Sequence, residues 1–83
     1  MGRRMRKKTK DRIAQFFLDY VKTRGECTAR NFTGSDEARE YNLTTLQFAN
    51  LFREYKSVEP YATLIDCDTR NRMGATIYRY KGE

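Results

Sequence analysis

The segment 42–55, "NLTTLQFANLFREY", carries the local signals that decide the fold. With Thr44 as N-cap, Gln47 is the third helical residue, and these two side chains form a reciprocal capping box in that arrangement. Leu43, just outside the helix, is placed to pack on Phe48 as a hydrophobic staple. The segment therefore predicts a helix with a defined start. Its apolar face consists of Phe48, Leu51, Phe52 and Tyr55.

A second amphipathic helix is predicted upstream, from Lys10 to Arg24. Its apolar residues recur at i, i+3, i+4, i+7 and i+8, which is the stripe of a helix lying on a core. We expect Thr9 to cap its start, Asp11 to favour the positive end of its dipole, and Gly25 to close it. The predicted stripe consists of Ile13, Phe16, Phe17, Tyr20 and Val21.

The stretch between these helices has weaker signals. Thr28 is a candidate cap for a short helix that buries Phe32, and Gly34 then interrupts the pattern. Ser35 is a candidate for the start of a second helix. Residues 28–41 are therefore predicted to form one helical layer, either as two short helices or as one kinked helix.

The C-terminal part of the chain predicts a β-hairpin. Pro60 ends helical propagation, and "YATLIDC" and "ATIYRY" after it are rich in Thr, Ile and Tyr, as strands are. The polar segment "DTRNRMG" between them predicts a turn, with Asn71 and Gly74 as candidates for positive φ. Arg70 and Arg72 are expected at the tip, so the hairpin has a basic end.

Charge is concentrated at the N-terminus. Residues 1–12 contain seven basic side chains against the single acid Asp11, whereas the other 71 residues contain ten basic and ten acidic ones. We expect residues 1–8 to be a disordered basic arm that seeks polyanions, preceding a folded domain of residues 9–83. An idle, solvated terminus is the alternative. The seven basic residues are Arg3, Arg4, Arg6, Lys7, Lys8, Lys10 and Arg12.

Length and composition exclude several classes of protein. A chain of 83 residues forms one small domain, and no run of 18 apolar residues predicts a membrane span or a signal peptide. Cys27 and Cys67 are too few for a disulfide framework or a zinc site, and the chain has no His. We expect a reduced, cytoplasmic protein without a metal, cofactor or small-molecule ligand. One Cys27–Cys67 disulfide stays open as an alternative.

The order of basic arm, helix, short helical layer, capped helix and hairpin resembles the winged helix-turn-helix family, in particular its small archaeal, bacterial and viral members. The resemblance covers residues 9–81 and is carried by "TARNF", "LTTLQFANLFREY" and "TLIDCDTRNRMGATIYRY". It implies an α+β fold with a three-helix core and a C-terminal β-hairpin wing. It also implies that the third helix lies in the major groove while the wing touches the adjacent backbone or minor groove.

This chain departs from the family pattern before the capped helix. Eleven residues separate Phe32 from Thr44, where the family has a short turn. Either the second helix is extended or an element is inserted. The segment contains four charged residues, Asp36, Glu37, Arg39 and Glu40. Its acidic cluster must then point away from phosphate if DNA is bound.

The resemblance implies a set of DNA-binding residues. Asn and Gln pair with adenine, Arg pairs with guanine, and Thr contacts phosphate or a thymine methyl group. The groove-facing residues of the third helix are Thr44, Thr45, Gln47, Asn50 and Arg53. Backbone contacts are implied for Arg70 and Arg72 on the wing, for Arg30 and Arg39 nearby, and for Arg3, Arg4, Arg6, Lys7 and Lys8 of the arm.

The predicted function is sequence-specific binding of double-stranded DNA by a small transcriptional regulator, nucleoid-associated and compatible with a homodimer. An enzyme is not expected, because the chain has no His, phosphate loop or nucleophile elbow. Two alternatives stay open. One is a winged-helix module that binds protein, and the other is an RNA-binding protein in which Tyr78 and Tyr80 stack on bases.

Overall fold

The computed structural model describes residues 6–82, except for the side chain of Glu37. These residues form an α+β domain with a three-stranded antiparallel sheet, in which β3 lies between β1 and β2. The predicted α+β class is confirmed. The elements, in chain order, are α1 (Lys7–Arg24), β1 (Glu26–Thr28), α2 (Ala29–Thr33), α3 (Asp36–Arg39), α4 (Thr45–Tyr55), α5 (Tyr61–Leu64), β2 (Ile65–Arg70) and β3 (Thr76–Tyr80).

Helix α1 begins earlier than the sequence predicts. Its first residue is Lys7, and the N-cap position is occupied by Arg6 without a side-chain hydrogen bond. The predicted cap at Thr9 is therefore wrong, and Lys7 and Lys8 are helical although we expected them in a disordered arm. An ion pair of 3.3 Å between Lys7 and Asp11, one turn apart, supports this extra turn. Asp11 consequently lies beyond the first turn.

The buried face of α1 is wider than the predicted stripe and shifted from it. Gly25 closes the helix at φ +88°, as predicted, and its N–H donates to the Val21 carbonyl at 2.7 Å. Phe16 was predicted to be buried, but it is 37% exposed and meets Tyr41 edge-on at 5.8 Å. Ala14 and Leu18, two residues before and after Phe16, are buried although the stripe did not include them. The buried residues of α1 are Ile13, Ala14, Phe17, Leu18, Tyr20 and Val21.

The helical layer of residues 28–41 consists of two separate short helices. Thr28 caps α2 in a reciprocal box with Asn31, with N···O distances of 2.9 and 3.2 Å. Gly34 ends α2, and the Ser35 hydroxyl accepts from the Ala38 N–H to start α3. The longer connection before α4 is thus an inserted helical turn. Ala38 anchors this turn in the core.

Strand β1 was not predicted. Its three residues pair with β3, with Glu26 opposite Arg79 and Cys27 opposite Tyr78. A 3.1 Å ion pair joins Glu26 to Arg79 across the two strands. Three residues are too few to show an alternating pattern in the sequence. The strand is recognisable only from its pairing with β3.

The predicted hairpin is present, but its first strand begins later. Residues Tyr61–Leu64 form the helical turn α5, so the prediction of strand for "YATL" is wrong. Strand β2 pairs with β3 from Ile65 opposite Tyr80 to Arg70 opposite Thr76, and its register shifts between Asp66 and Thr69. Cys67, which lies in this irregular part, and Cys27 are free thiols, so the disulfide alternative is not realised. In the part of the chain that the structure describes, no helix has the length and apolar character needed to span a membrane.

The core is built around the ring of Phe17 on α1. Its centroid lies 5.0 Å from Phe32 of α2, 4.6 Å from Phe48 and 5.0 Å from Phe52 of α4, and 5.1 Å from Tyr78 of β3. Most of these pairs are tilted or edge-to-face, the geometries that aromatic quadrupoles prefer. One side chain therefore joins three helices to the sheet.

We expect Phe17→Ala to lower the free energy of unfolding by about 3 to 5 kcal/mol, because a fully buried aromatic ring leaves a cavity. Such a loss is a large part of the roughly 5 to 15 kcal/mol that stabilises a typical domain. Phe16→Ala, next to it in the chain but largely outside the core, is the matched control and is expected to cost far less. Urea unfolding followed by circular dichroism measures both. Equal losses for the two variants would contradict this assignment of the core.

Candidate nucleic-acid interface

The first turn of α4 is held by the predicted capping box. The Gln47 side-chain oxygen accepts from the Thr44 N–H at 2.9 Å, and the Thr44 hydroxyl accepts from the Gln47 N–H at 3.0 Å. Thr45 lies beside α2, with its hydroxyl oxygen 3.4 Å from that of Thr33. Thr44 and Gln47 thus define where α4 begins, and Thr45 connects this start to α2.

The two faces of α4 are divided as predicted. The residues assigned to the core, Phe48, Leu51, Phe52 and Tyr55, are all buried. On the opposite side Leu46, Asn50 and Arg53 are exposed and follow one another at i, i+4 and i+7. We call these three residues the outer ridge. Leu46 is 70% exposed, so the ridge begins with an apolar side chain.

One flank of α4 is fixed to α1. The Lys10 ammonium lies 3.1 and 3.2 Å from the two carboxylate oxygens of Glu54. One residue further along each helix, the Tyr55 hydroxyl donates to the Asp11 carboxylate. This hydrogen bond lowers the pKa of Asp11, while burial and the same carboxylate raise the pKa of Tyr55.

The other flank of α4 faces the hairpin across a groove of about 290 Å³. The charged residues that line it are all basic: Arg53 of α4, Lys56 just after α4, and Arg70 of β2. We call this feature the basic groove. Ala49, Phe52, Cys67, Thr76 and Tyr78 form the rest of its wall. The structure therefore brings together Arg53 and Arg70, which the sequence had placed in separate parts of the predicted site.

Lys56 is a member of this groove that sequence reasoning missed. It occupies the C-cap position of α4, where its N–H donates to the Phe52 carbonyl. The signal was its spacing, because Lys56 follows Arg53 by three residues and so lies on the same side of the helix. Cations also favour the C-terminal end of a helix, so the position is electrostatically suitable.

Two thiols and a phenol near the groove are uncharged at neutral pH. Burial raises the pKa of Cys67, which lines the groove, and raises that of Cys27 to about 12. Tyr78 is buried in the core, and burial raises its pKa as well. None of them adds negative charge to the groove. Because Tyr78 is buried, it does not offer the exposed ring that base stacking requires.

The hairpin tip is held together by Asn71. The Asn71 side-chain oxygen accepts from the N–H groups of Met73 and Ala75, at 2.9 and 3.0 Å. Of the two candidates for positive φ, Gly74 has φ +83°, whereas the prediction for Asn71 is wrong. Asn71 stabilises the turn through its side chain instead. Arg70 donates to the Gly74 carbonyl at 3.1 Å, and Arg72 is exposed at the tip.

The other predicted binding residues lie away from the basic groove. Arg30 is exposed on α2, Arg39 pairs with Asp36 at 3.4 Å, and Lys8 is exposed on the first turn of α1. Lys7 lies over the cleft between α1 and α4, beside Lys10, Asp11 and Glu54. Arg6 is the N-cap of α1. Arg3 and Arg4 lie outside the described residues.

Within residues 6–82, no three His, Cys, Asp or Glu side chains come together as a metal-ligand set. Asp66 and Asp68 are joined locally, because the Asp66 carboxylate accepts from the Asp68 N–H at 3.2 Å. Comparison with protein-family models, curated proteins and solved structures gave no match.

The contact between Asp11 and Tyr55 predicts how stability depends on pH. The pKa of Asp11 is lowered in the folded state, so its contribution is present above its ordinary pKa of 3.8 and is lost as the pH falls through the lowered value. The pKa of Tyr55 is raised above its ordinary 10.0, so its contribution is lost as the pH rises beyond that value. Asp11→Asn should therefore lower Tm at pH 7 and differ little from the parent at pH 2.

Tyr55→Phe should lower Tm at pH 7 through the same contact, and the double variant should lose less than the sum of the two single losses. Asp36→Asn removes an exposed carboxylate from another helix and serves as the control. The measurement is Tm between pH 2 and pH 11. Additive losses for Asp11→Asn and Tyr55→Phe would show that these side chains do not act together.

Proposed function

We propose that this chain is a sequence-specific double-stranded DNA-binding domain of the winged helix-turn-helix type and acts as a small transcriptional regulator in the cytoplasm or nucleoid. In this proposal α4 lies in the major groove, and the hairpin is the wing that contacts the adjacent backbone. The order of α1, α2, α4 and the hairpin supports it, with α3 and α5 as additional turns. The basic residues that precede α1 provide further attraction to phosphate.

The observation that carries the proposal is the basic groove. Arg53, Lys56 and Arg70 line one concave surface together, without an acidic residue among its walls. Cations gathered in a concave surface focus a positive potential and attract polyanions. Phosphates of a duplex backbone are the ligands that such a site fits, and contacts to them fix the register of a protein on DNA.

The outer ridge supplies the chemistry of base recognition next to that groove. Asn50 pairs bidentately with adenine, Arg53 with guanine, and Leu46 fits a thymine methyl group. Helix α4 has 11 residues, or about 16 Å, and an α-helix of about 10 to 12 Å diameter fits a major groove roughly 12 Å wide. Because Thr44 and Gln47 form the capping box, base reading falls to Asn50 and Arg53, in the second half of α4.

Binding to a protein partner is the second candidate, and exposed Leu46 is the observation that favours it. An apolar side chain at 70% exposure next to polar neighbours is also typical of an interaction surface. The two candidates differ in the charges they require. A protein partner does not require the three cations of the basic groove to act together, whereas a duplex backbone does.

We expect loss of the groove charges to reduce the salt dependence of duplex binding. The test variant is Lys56→Ala with Arg70→Gln, in which glutamine keeps a donor for the Gly74 carbonyl. If each cation meets a phosphate, the slope of log affinity against log salt should fall by about 0.9 per lost contact. Fluorescence anisotropy with labelled duplex DNA, single-stranded DNA and RNA provides the measurement.

Lys22→Ala is the matched control for the groove variant, because it removes an exposed cation at the far end of α1. Its slope should equal that of the parent protein. A groove variant that binds duplex DNA like the control would contradict the assignment of the basic groove to phosphate. Preference for RNA or single-stranded DNA over the duplex would contradict the proposed substrate.

We expect Asn50→Ala to relax sequence preference without weakening the fold. A bidentate side-chain contact to a base provides about 1 to 3 kcal/mol of discrimination at one base pair. The variant should therefore lose affinity for a site selected from random duplexes but bind scrambled DNA like the parent. Gln15→Ala, which removes an exposed amide from α1, is the control. Unchanged discrimination in Asn50→Ala would exclude Asn50 from base reading.

A further inference from the structure

Met73 is the large apolar side chain with the greatest exposure in the described part of the chain. It lies at the tip of the hairpin and is 89% exposed. The other exposed large apolar residues lie on or next to helices and range from 37% to 70%. A methionine at this exposure contributes little to the core, so the fold does not explain its presence.

The turn that carries Met73 is closed by five hydrogen bonds. Besides the two bonds to the Asn71 side chain, the Asn71 N–H donates to the Ala75 carbonyl at 2.9 Å, and the Gly74 N–H donates to the Asn71 carbonyl at 3.0 Å. The guanidinium of Arg70 adds a fifth bond, to Gly74. A tip that is already ordered loses little conformational entropy when it binds. Met73 is thus presented on a preorganised support.

The tip is also continuous with the basic groove. Arg70 lines that groove with Arg53 and Lys56, and the same guanidinium holds the Gly74 carbonyl beside Met73. Arg72, the residue before Met73, is exposed. An exposed apolar side chain that directly follows one arginine, on a turn held by another, fits a site with apolar walls inside a strongly anionic surface. The minor groove of a duplex has this chemistry.

Building on the proposed function, we propose that Met73 is an apolar wedge that enters the minor groove next to the base pairs read by α4 and partly unstacks one base step. Apolar side chains, including methionine, act in this way in proteins that bend DNA from the minor groove. Arg72 stabilises the entry through its attraction to the narrow groove. The inserted step should be a pyrimidine–purine step, because such steps unstack most easily. Met73 would then select sequence through DNA deformability.

The first measurement follows the methyl group of Met73 directly. The chain has three methionines, so a protein with 13C-labelled methionine methyl groups gives a simple spectrum, and Met73→Leu identifies the signal of Met73. Addition of a 20-base-pair duplex should shift and broaden this signal. The matching energy-transfer measurement uses dyes at the two duplex ends, which should approach each other when the protein binds.

Three substitutions separate the wedge from a passive tip. Met73→Ala removes the side chain, Met73→Gln keeps its length but makes it polar, and Met73→Leu keeps an apolar wedge. Affinity for a selected site should fall about tenfold in the alanine and glutamine variants, as expected when burial of one methionine side chain is lost. These two variants should also lose the bend and the preference for a pyrimidine–purine step, whereas the leucine variant should keep them.

The outcomes distinguish this inference from the proposed function. If the parent protein binds the duplex but the Met73 signal is unchanged and all three variants bind alike, the wedge is excluded and DNA binding stands. If the parent protein does not bind duplex DNA at low salt, both fail. A shifted Met73 signal together with loss of bending in the alanine and glutamine variants, and its retention in the leucine variant, supports the wedge.

Discussion

The contact of the Phe17 ring with four other aromatic rings is the constraint on which the rest of the structure depends. Two of these rings, Phe48 and Phe52, belong to α4, and a third, Tyr78, belongs to the central strand. The separation between α4 and the hairpin is therefore set by this aromatic cluster, in which Phe52 and Tyr78 also contact each other directly at 5.4 Å. Because interiors pack densely, this separation cannot change without disturbing the core. The basic groove takes its width from that packing.

Residues 7–82 contain 14 basic and ten acidic side chains, so the folded body is itself basic, and two of its ion pairs lie away from the basic groove. Glu54 lies on α4 but is paired with Lys10 on the flank away from the hairpin, and Glu26 is paired with Arg79 at the other edge of the sheet. These two carboxylates thus face away from the basic groove, whereas Asp66 and Asp68 lie with Lys56 and Arg70 on the concave surface that adjoins it. Exposed pairs of this kind add little stability, so their main effect is on the shape of the surface potential.

Local rules predicted the elements whose signals lie within a few residues. The box of Thr44 with Gln47, the cap at Thr28 and the helix start at Ser35 follow from side chains that bond to nearby backbone, and each is present. Strand β1 and the exposure of Phe16 depend on partners that are distant in the chain, which no local pattern encodes. The position of Arg53 and Arg70 on one groove also depends on residues that are distant in the chain, because it arises from the packing of α4 against the hairpin.

The capping box also determines which part of α4 is available for recognition. Thr44 and Gln47 are the polar residues nearest the start of the helix, and their bonds to each other's backbone satisfy groups that the first turn would otherwise leave open. If these side chains bound bases instead, α4 would lose its capping bonds, and a typical N-cap contributes about 1 kcal/mol to the free energy of unfolding. If α4 binds DNA as proposed, base reading falls to Asn50 and Arg53. Arg53 also lines the basic groove, so in that proposal one side chain connects base reading with phosphate binding.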